Sequence, residues 1–328
     1  PELRFPEFRG ARKWEEAQLG QLGELVSGLT YSPEDIREKG LLVLRSSNVK
    51  NGKIALEDCV YVKPEIKGAN LSKPNDILIC VRNGSIALIG KNALIPHGMP
   101  LSTHGAFMTV FRASSAEFIF QLFQTDAYKR QVAGDLGATI NSINGRQFIK
   151  YNFFVPSPPE QQKIADCLSS IDELIALHTQ KHDALKDHKK GLMQQLFPAE
   201  GETVPKLRFP EFLDAGNWDE MAIGTVCKTY SGGTPQTSKK LFYGGSIPFI
   251  RSAEIDKEYT ELFLTKEGLE NSASKLVKKG DVLIALYGAN SGEVALARQE
   301  GAINQAVLCL KSQSSNSFIY QFLLLKKN

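Results

Sequence analysis

The side chains that could do chemistry in this sequence do not form a catalytic or metal-binding pattern. His178 and His182 have the i, i+4 spacing of a metal-binding pair, but no third ligand accompanies them. Residues 84–91 resemble a phosphate-binding loop, but the loop is one residue too long, and Asn92 stands where Ser or Thr should bind magnesium. No Gly-x-Ser-x-Gly elbow is present. We therefore expect neither a catalytic centre nor a metal or other cofactor in this chain.

The length and composition of the chain indicate two domains in the cytoplasm. At 328 residues it is longer than one ordinary domain. Its 5 cysteines include no close pair, which indicates reduced thiols. No apolar run is long enough to cross a membrane, and the first residues lack the apolar stretch of a signal peptide. A net charge of +3 is compatible with a polyanionic partner but does not argue for one.

One stretch of sequence occurs twice, and this repeat organises the chain. Residues 3–8 (Leu-Arg-Phe-Pro-Glu-Phe) recur identically as residues 207–212, 204 positions later. Further landmarks follow in the same order with slips of a few residues, as expected where loops differ in length. These pairs are Trp14 and Trp218, Leu19 and Ile223, Ser27 and Ser231, Arg45 and Arg251, Asp76 and Asp281, and Phe118 and Phe318. The chain therefore holds two versions of one domain.

The apolar residues of each copy predict an α+β domain with a mainly antiparallel sheet. Short apolar runs bounded by turn residues predict buried strands, and these runs are residues 41–44, 77–81, 282–286 and 306–310. Asn51 and Gly52 predict a tight turn between two strands. Apolar residues at helical spacing predict a helix over residues 117–132.

A long helix is predicted between the two copies. Pro158 and Pro159 suit its first turn, and Pro198 follows its end. The residues between them at alternating steps of four and three form a heptad seam in which His178, His182 and Lys189 are the polar positions. The apolar seam residues, which we expect to form a subunit interface, are Ile164, Leu168, Ile171, Ile175, Leu185, Leu192 and Leu196. A helix this long cannot bury its apolar stripe alone, so we expect it to pack on a partner helix.

Four segments are predicted: a first domain over residues 1–158, the long helix over 159–197, a linker over 198–204 and a second domain over 205–328. The second copy lacks a counterpart of residues 129–197, and with it a second long helix. We therefore expect two repeated domains joined by one coiled-coil-type spacer helix, with an incomplete second copy. The partner helix would then come from another chain.

These landmarks resemble those of the specificity subunits of type I restriction–modification systems, over nearly the whole chain. Trp14 and Trp218, with the Ser-Gly pairs that follow them, resemble the opening of that family's domain. Residues 76–79 and 279–284 resemble its central strand, and residues 190–197 resemble the end of its spacer helix. The most specific match is the resemblance of Ser157-Pro158-Pro159-Glu160-Gln161-Gln162 to the start of that helix.

The resemblance implies a non-catalytic subunit with two target-recognition domains. In that family each domain reads one half of a split DNA site, and the helices between the domains act as a ruler. Two methyltransferase (M) subunits dock on the specificity subunit and carry the methyl donor, and ATP-hydrolysing restriction (R) subunits join to cleave. This sequence departs from the pattern because it lacks the second helix. The implied partners are double-stranded DNA, the M and R subunits and, through the spacer helix, a second copy of this chain.

If the domains read DNA, the loops around their strands hold the candidate contacts. Arg is the best reader of guanine and Asn or Gln of adenine, while other groups fix the phosphates. Arg45 and Arg251 stand at matched positions, and the change from Asn48 to Glu254 beside them suggests different bases, since Glu can accept a hydrogen bond from cytosine. For any one candidate the alternative is an ordinary turn residue. The candidates are Arg45, Ser46, Asn48, Arg82, Asn83, His104, Asn141, Asn144, Arg146, Thr234, Lys239, Arg251, Ser252, Glu254, Tyr287, Asn290, Asn304 and Gln305.

Three other interpretations stay open. A free-standing, sequence-specific DNA-binding protein would have no methyltransferase partner, and co-purification with a methyltransferase would separate the two cases. An enzyme with an unfamiliar active site would transfer methyl groups or cleave DNA as an isolated chain. A purely structural helical adaptor is disfavoured by the polar loops, which differ between the two copies.

Overall fold

A computed structural model describes residues 3–136 and 141–327. The chain divides into two units, Pro1–His178 and Thr179–Asn328, each with its own sheets and core. The division falls inside the long helix, so each unit carries one end of that helix.

The first unit combines short strands with five α-helices among its described residues. Its strands are β1 (Glu15–Gln18), β2 (Gly23–Ser27), β3 (Ile36–Arg37), β4 (Leu41–Leu44), β5 (Val49–Lys50), β6 (Lys53–Ile54), β7 (Val60–Val62), β8 (Ile77–Cys80), β9 (Asn92–Leu94), β10 (Ser102–His104), β11 (Met108–Ala113) and β12 (Asn152–Val155). Its helices are α1 (Leu19–Leu22), α2 (Ala116–Leu122), α3 (Asp126–Asp135), α4 (Gly145–Phe148) and the start of α5 (Pro158–Leu196).

Two four-stranded sheets form the centre of the first unit. One sheet is antiparallel, in the order β2-β11-β8-β9. The other has the order β10-β4-β7-β3, and within it β10 and β4 run parallel. Strand β1 pairs with β12, and β5 forms a hairpin with β6. The predicted α+β class with mainly antiparallel pairing is confirmed, and the β4–β10 pair is a parallel exception.

The predicted strands are confirmed, and their burial explains their sequence. Every residue of Leu41–Leu44 and Ile77–Cys80 is buried, so these runs are apolar throughout instead of alternating. Phe111 on β11 packs against the rings of Phe123 and Phe148, at centroid distances of 5.8 and 6.3 Å. An aromatic cluster therefore joins the central sheet to the helices that cover it.

The turn predicted at Asn51 and Gly52 is confirmed, whereas the helix predicted over residues 117–132 is only partly correct. Asn51 and Gly52 have φ values of 50° and 75°, and they close the β5–β6 hairpin as predicted. The single helix predicted over residues 117–132 is instead two helices, α2 and α3. Thr125 precedes the second helix, and its side chain caps the new N-terminus by accepting a hydrogen bond from the Tyr128 backbone.

The second unit repeats this arrangement. Its strands are β13 (Cys227–Ser231), β14 (Tyr243–Ile250), β15 (Phe263–Leu264), β16 (Lys275–Val277), β17 (Val282–Ala285), β18 (Val294–Leu296), β19 (Gly301–Ile303) and β20 (Val307–Ser312). Its other helices are α6 (Ile223–Val226), α7 (Lys266–Glu270) and α8 (Asn316–Lys327). The sheet β13-β20-β17-β18 corresponds to β2-β11-β8-β9, and β14 runs parallel to β19 as β4 does to β10.

The repeated aspartate before the central strand has a structural role in both units. Asp76 is 2% exposed, accepts a hydrogen bond from the Lys73 backbone and pairs with Arg112 at 2.8 Å. Asp281 likewise accepts a hydrogen bond from the Lys278 backbone N–H at 2.7 Å, and its carboxylate pairs with the Lys311 ammonium at 3.0 Å. The turn before each central strand is therefore fixed by one buried, paired carboxylate.

Helix α5 has 39 residues and lies within one residue of the predicted bounds at each end. At 1.5 Å per residue it is roughly 58 Å long. Its seam is mostly exposed: Leu168 is 39% exposed, Ile171 47%, Ile175 59%, Leu185 57% and Leu192 36%. The seam positions at the two ends differ. Ile164 packs on the core of the first unit, and Leu196 is half-buried.

Candidate nucleic-acid interface

The parallel pair β4–β10 brings several of the predicted contact loops to one end of the first unit. Leu44 and His104, the last residues of the two strands, are partners, so the loops that follow them start side by side. The Gly105 backbone N–H donates to the Leu44 carbonyl at 2.9 Å. Strand ends that meet on a rigid sheet are a common place for binding loops.

Hydrogen bonds tie four loops together at this end. The backbone N–H groups of Val81 and Arg82 both donate to the Phe107 carbonyl, at 3.0 and 3.1 Å. The Asn83 side-chain amide donates to the Ser46 hydroxyl at 3.1 Å. The Asn141 amide donates to the Gly84 carbonyl at 3.1 Å. The structure thus gathers the predicted residues Ser46, Arg82, Asn83 and Asn141 on one surface, which we call the first recognition surface.

A groove of about 650 Å³ runs beside these loops. Apolar side chains form much of its lining, and Arg45 with Asp58 supplies its charged groups. The lining includes Leu29, Tyr31, Arg45, Ser46, Asp58 and Phe107.

Arg82 is the arginine of this surface that is available to a ligand. Arg82 is exposed, and no carboxylate of the described residues lies within ion-pair distance of its guanidinium. Its guanidinium carbon lies 5.8 Å from the centre of the Phe107 ring. Phe107 is 58% exposed. The ring therefore supports a guanidinium whose N–H groups stay free to donate.

Arg45, by contrast, is already paired. Its terminal nitrogen lies 2.8 Å from the Asp58 carboxylate, and its Nε is buried without a hydrogen-bond partner among the described residues. Arg45 lines the groove, but one of its terminal N–H groups is already paired with Asp58.

Two candidates in the first unit are buried, so the prediction that they contact bases is wrong for this structure. Asn48 is fully buried, and its side chain binds the backbone of Arg45, Ala55 and Asp58. His104 is also fully buried, with its Nε2 2.9 Å from the Val26 carbonyl. Burial lowers the pKa of His104, so the imidazole is neutral near pH 7. Both side chains support the loops from below.

The remaining candidates of the first unit lie at the start of α4. Asn144 caps this short helix by accepting a hydrogen bond from the Arg146 backbone at 2.9 Å. Both residues are exposed, and they follow Ile143, whose N–H donates to the Val81 carbonyl. They therefore border the first recognition surface.

The second unit gathers equivalent loops in the same way. Ile250 of β14 and Ile303 of β19 are parallel partners. The Leu286 N–H donates to the Ala306 carbonyl at 2.8 Å, as Val81 does to Phe107 in the first unit. The Thr234 hydroxyl donates to the Gln305 side chain at 2.7 Å, and the Gly232 N–H donates to the Asn304 carbonyl at 3.2 Å. We call this end, with Thr234, Tyr287, Asn304 and Gln305, the second recognition surface.

Equivalent backbone positions on the two surfaces carry different side chains. The residue after Val81 is Arg82, and the residue after Leu286 is Tyr287, which is 51% exposed. Phe107 of the first unit corresponds to Ala306 of the second. The scaffold hydrogen bond is the same in both units, whereas the chemistry presented to solvent differs.

Arg251 and Glu254 belong to one network of hydrogen bonds and ion pairs. Glu254 is 4% exposed and accepts hydrogen bonds from the Arg251 backbone, the Arg251 side chain and Thr260. Arg251 also pairs with Glu261 at 2.7 Å. Burial raises the pKa of Glu254, but these hydrogen bonds outweigh it and lower the pKa to about 2.

The interpretation of Asn48 and Glu254 as readers of different bases is therefore wrong. Both stand third in a 3-10 turn and accept a hydrogen bond from the backbone N–H of the arginine that precedes the turn. The substitution keeps one structural role in both units. It says nothing about bases, because neither side chain reaches the surface.

Three other candidates of the second unit have contacts of their own. Ser252 and Asn290 line a separate cavity of about 1000 Å³, together with Tyr320 of α8. Lys239 is exposed, with its ammonium 5.1 Å from the centre of the Phe242 ring.

Two kinds of feature were not found among the described residues: a metal-binding cluster and a membrane-spanning helix. Over residues 3–136 and 141–327, no cluster of three or more His, Cys, Asp or Glu side chains could hold a metal ion. Within the same ranges, no helix has both the length and the apolar character needed to span a bilayer.

Comparison with known proteins places these features in a family. The chain is 29% identical to the specificity subunit of the type I restriction enzyme StySPI of Salmonella potsdam, over 48% of this chain and 36% of that protein. It is 28% identical to the EcoKI specificity subunit of Escherichia coli, over 55% and 41%. The matched region thus spans less than half the length of these two relatives. The MjaIX specificity subunit of Methanocaldococcus jannaschii is 24% identical, over 84% of this chain and 67% of that protein.

The fold has a counterpart among solved structures. The S subunit of a type I restriction–modification system from M. genitalium covers 100% of this chain with a TM-score of 0.62 and 16% identity, and 80% of that subunit is matched. The family model described as the type I restriction modification DNA specificity domain matches residues 11–187 and 215–328, one region for each copy of the repeat. The chain therefore belongs to the family of type I restriction–modification DNA specificity domains.

Proposed function

We propose that this chain is the DNA sequence-recognition subunit of a type I restriction–modification complex, with each unit reading one half of a bipartite target. The observation that carries the proposal is the pair of recognition surfaces. Their scaffold hydrogen bonds are equivalent, but Arg82 and Phe107 on one are replaced by Tyr287 and Ala306 on the other. Different exposed side chains at equivalent positions, such as Arg82 and Tyr287, are what two different half-sites require.

On the first surface, Arg82 is the proposed reader of guanine. Its free N–H groups can donate to both major-groove acceptors of that base. Phe107 would hold the guanidinium in place and offer an apolar contact, as to a thymine methyl group. Asn83, Ser46 and Asn141 would contribute polar contacts at the border.

On the second surface, Gln305 and Asn304 are the proposed readers of adenine, because their amides can donate and accept at the same base edge. Thr234, bonded to Gln305 at 2.7 Å, would orient that amide. Tyr287 would contribute a stacking or hydroxyl contact. Lys239, Arg146 and Asn144 are exposed beyond the two surfaces and suit phosphate contacts.

The chemistry is proposed to reside in partner subunits. Methyltransferase subunits would dock on the chain and carry the methyl donor, and restriction subunits would join to cleave. Helix α5 supports a docking role, because Leu168, Ile171, Leu174 and Leu185 expose 39–57% of their surface in the chain alone. The isolated chain is expected to methylate and cleave nothing.

The decisive experiment is single-molecule methylome sequencing of cells that express this chain together with a methyltransferase encoded beside it. Cells with the methyltransferase alone serve as the control. We expect a new split motif that appears only when both proteins are present. An unchanged methylation pattern in cells where the complex demonstrably assembles would contradict the proposal. Selective DNA binding without co-purification of a methyltransferase would instead identify a free-standing DNA-binding protein.

A further inference from the structure

An ion pair between an arginine and an exposed carboxylate occurs at the same place in both units. In the first unit, a terminal nitrogen of Arg45 lies 2.8 Å from the Asp58 carboxylate. In the second unit, a terminal nitrogen of Arg251 lies 2.7 Å from the Glu261 carboxylate. Each arginine directly follows a strand of the parallel pair, β4 or β14, and each carboxylate stands two residues before its antiparallel neighbour, β7 or β15. The repeat therefore carries one ion pair in two otherwise different loops.

The exposure of these carboxylates distinguishes them from the paired carboxylates that hold the fold together. The side chain of Asp58 is 64% exposed and that of Glu261 is 75% exposed. Those of Asp76 and Asp281, which fix the turns before the central strands, are 2% and 8% exposed. Because solvent screens an exposed ion pair, such a pair contributes little to the free energy of unfolding. Folding stability therefore does not account for the presence of the exposed pair in both units.

Both ion pairs lie at the strand ends from which the recognition loops start. Asp58 lines the groove of the first unit together with Ser46 and Phe107. In the second unit, the parallel strands β14 and β19 end at partnered residues, and the next residues along the chain are Arg251 and Asn304. A ligand that lies on either recognition surface therefore meets an exposed carboxylate at its border.

The arginine makes each carboxylate usable against a polyanion. An unpaired carboxylate would be repelled by DNA phosphates, whereas the paired arginine balances its charge. The arginine holds one oxygen of each carboxylate, Oδ1 of Asp58 and Oε2 of Glu261. Among the described residues, no hydrogen bond reaches the other oxygen of either side chain. An ionised carboxylate can only accept hydrogen bonds, so this second oxygen selects for a donor on the ligand.

We propose that Asp58 and Glu261 each accept a hydrogen bond from the exocyclic amino group of a cytosine, one in each half-site; this inference rests on the recognition role proposed above. In the major groove only cytosine and adenine present an amino donor. Adenine also presents its N7 acceptor beside that amino group, and N7 would repel a carboxylate. Cytosine presents no acceptor there, so it is the base that fits. The contact with cytosine that burial excludes for Glu254 is thereby assigned to Glu261.

The first test compares the methylated motif in cells that express the methyltransferase with the native chain, Asp58→Ala or Glu261→Ala. We expect Asp58→Ala to broaden one cytosine position in one half of the motif and Glu261→Ala to broaden one in the other half. The matched control is Glu57→Ala, in the same loop. The Glu57 carboxylate is exposed and pairs with Lys50 at 2.8 Å, but Glu57 does not line the groove. Its removal should leave the motif unchanged.

The second test removes the amino group from the DNA. A duplex with 2-pyrimidinone in place of that cytosine competes with the unmodified duplex for the assembled complex. We expect the native chain to bind the modified duplex about tenfold or more weakly, as for loss of a hydrogen bond to a charged group, and Asp58→Ala to bind both equally. Asp58→Asn keeps an acceptor oxygen without the charge, so its preference for cytosine should be intermediate. Each variant should melt cooperatively as the native chain does, which excludes unfolding as the cause.

Two results would overturn the inference. The native chain might select its motif and yet bind 2-pyrimidinone as well as cytosine at every position, which would show that no carboxylate reads the amino group. Alternatively, Asp58→Ala and Asp58→Asn could strengthen the binding of all duplexes alike with an unchanged motif, which would make Asp58 a general repellent of DNA. In both cases the split motif persists and the recognition role stands. Absence of any motif with the native chain would instead remove the recognition role, and this inference with it.

Discussion

The substitution Arg82→Ala distinguishes reading of a base by Arg82 from simple attraction of its charge to the DNA phosphates. Arg82 is exposed and unpaired, and its visible contribution to the fold is the ring contact with Phe107 at 5.8 Å. An exposed cation–π contact contributes about 0.5–1 kcal/mol, so Arg82→Ala should change the free energy of unfolding by no more than that. A two-point contact with guanine is worth about 1–3 kcal/mol of discrimination, which corresponds to about a 5- to 150-fold change in relative affinity.

The assay compares competition of matched DNA duplexes for the assembled complex, measured for the native chain and for Arg82→Ala. Each duplex differs from the target at one base pair of the half-site that the first unit reads. We expect Arg82→Ala to lose discrimination at one guanine position and to keep it elsewhere. The matched control is Arg130→Ala, which removes an exposed arginine on α3, outside the recognition loops.

A different pattern would refute the reasoning. If Arg82 contacts only phosphate, all duplexes should weaken equally, and the dependence of log affinity on log salt concentration should become shallower by about one unit. If Arg82→Ala and Arg130→Ala behave alike, the free guanidinium on the first surface has no part in recognition.

Three further predictions address the network under the second surface, the core and the long helix. The pKa of Glu254 in the folded chain, about 2, lies below the ordinary value of 4.5, so its pairing with Arg251 stabilises the second unit above about pH 4.5 and this stability is lost as pH falls toward 2. Glu254→Gln should therefore make the melting temperature less dependent on pH in that window, and an unchanged dependence would contradict the pairing. Phe111→Ala should destabilise the first unit by about 3–5 kcal/mol in urea unfolding, because its ring is fully buried against Phe123; a loss below about 1 kcal/mol would show that the site is not tightly packed. Leu185→Asp should alter the stability of the isolated chain by less than about 0.5 kcal/mol, since Leu185 is 57% exposed, yet reduce co-purification of the methyltransferase, and undiminished co-purification would exclude this part of α5 from the interface.

The architecture was predictable because apolar runs, prolines and the internal repeat indicate it directly in the sequence. Continuous apolar runs such as Ile77–Cys80 specify buried strands, and the prolines at 158, 159 and 198 bound α5 closely. The break between α2 and α3 was not predicted. The apolar spacing continues across it, whereas α2 ends at Leu122 and the side chain of Thr125 caps the start of α3.

The candidate site was only partly predictable, because composition does not reveal which way a loop side chain turns. Asn48 and Glu254 are polar residues in polar loops, yet both turn inward to the backbone N–H of a neighbouring arginine. Phe107 was missed for the opposite reason, since an aromatic residue beside a strand is usually core. Its neighbours Gly105 and Ala106 were the available signal that it lies on a turn.

The same geometry explains why the two units can differ in specificity without differing in fold. The hydrogen bonds that place Arg82 and Tyr287 join backbone atoms, so they do not depend on which side chains are presented. The side chains that fix each turn, Asn48 and Glu254, are buried beneath the surface and are under a separate constraint. Substitution at the exposed positions therefore changes the chemistry offered to a ligand at little cost in stability. A recognition surface divided in this way can diverge while the frame beneath it stays constant.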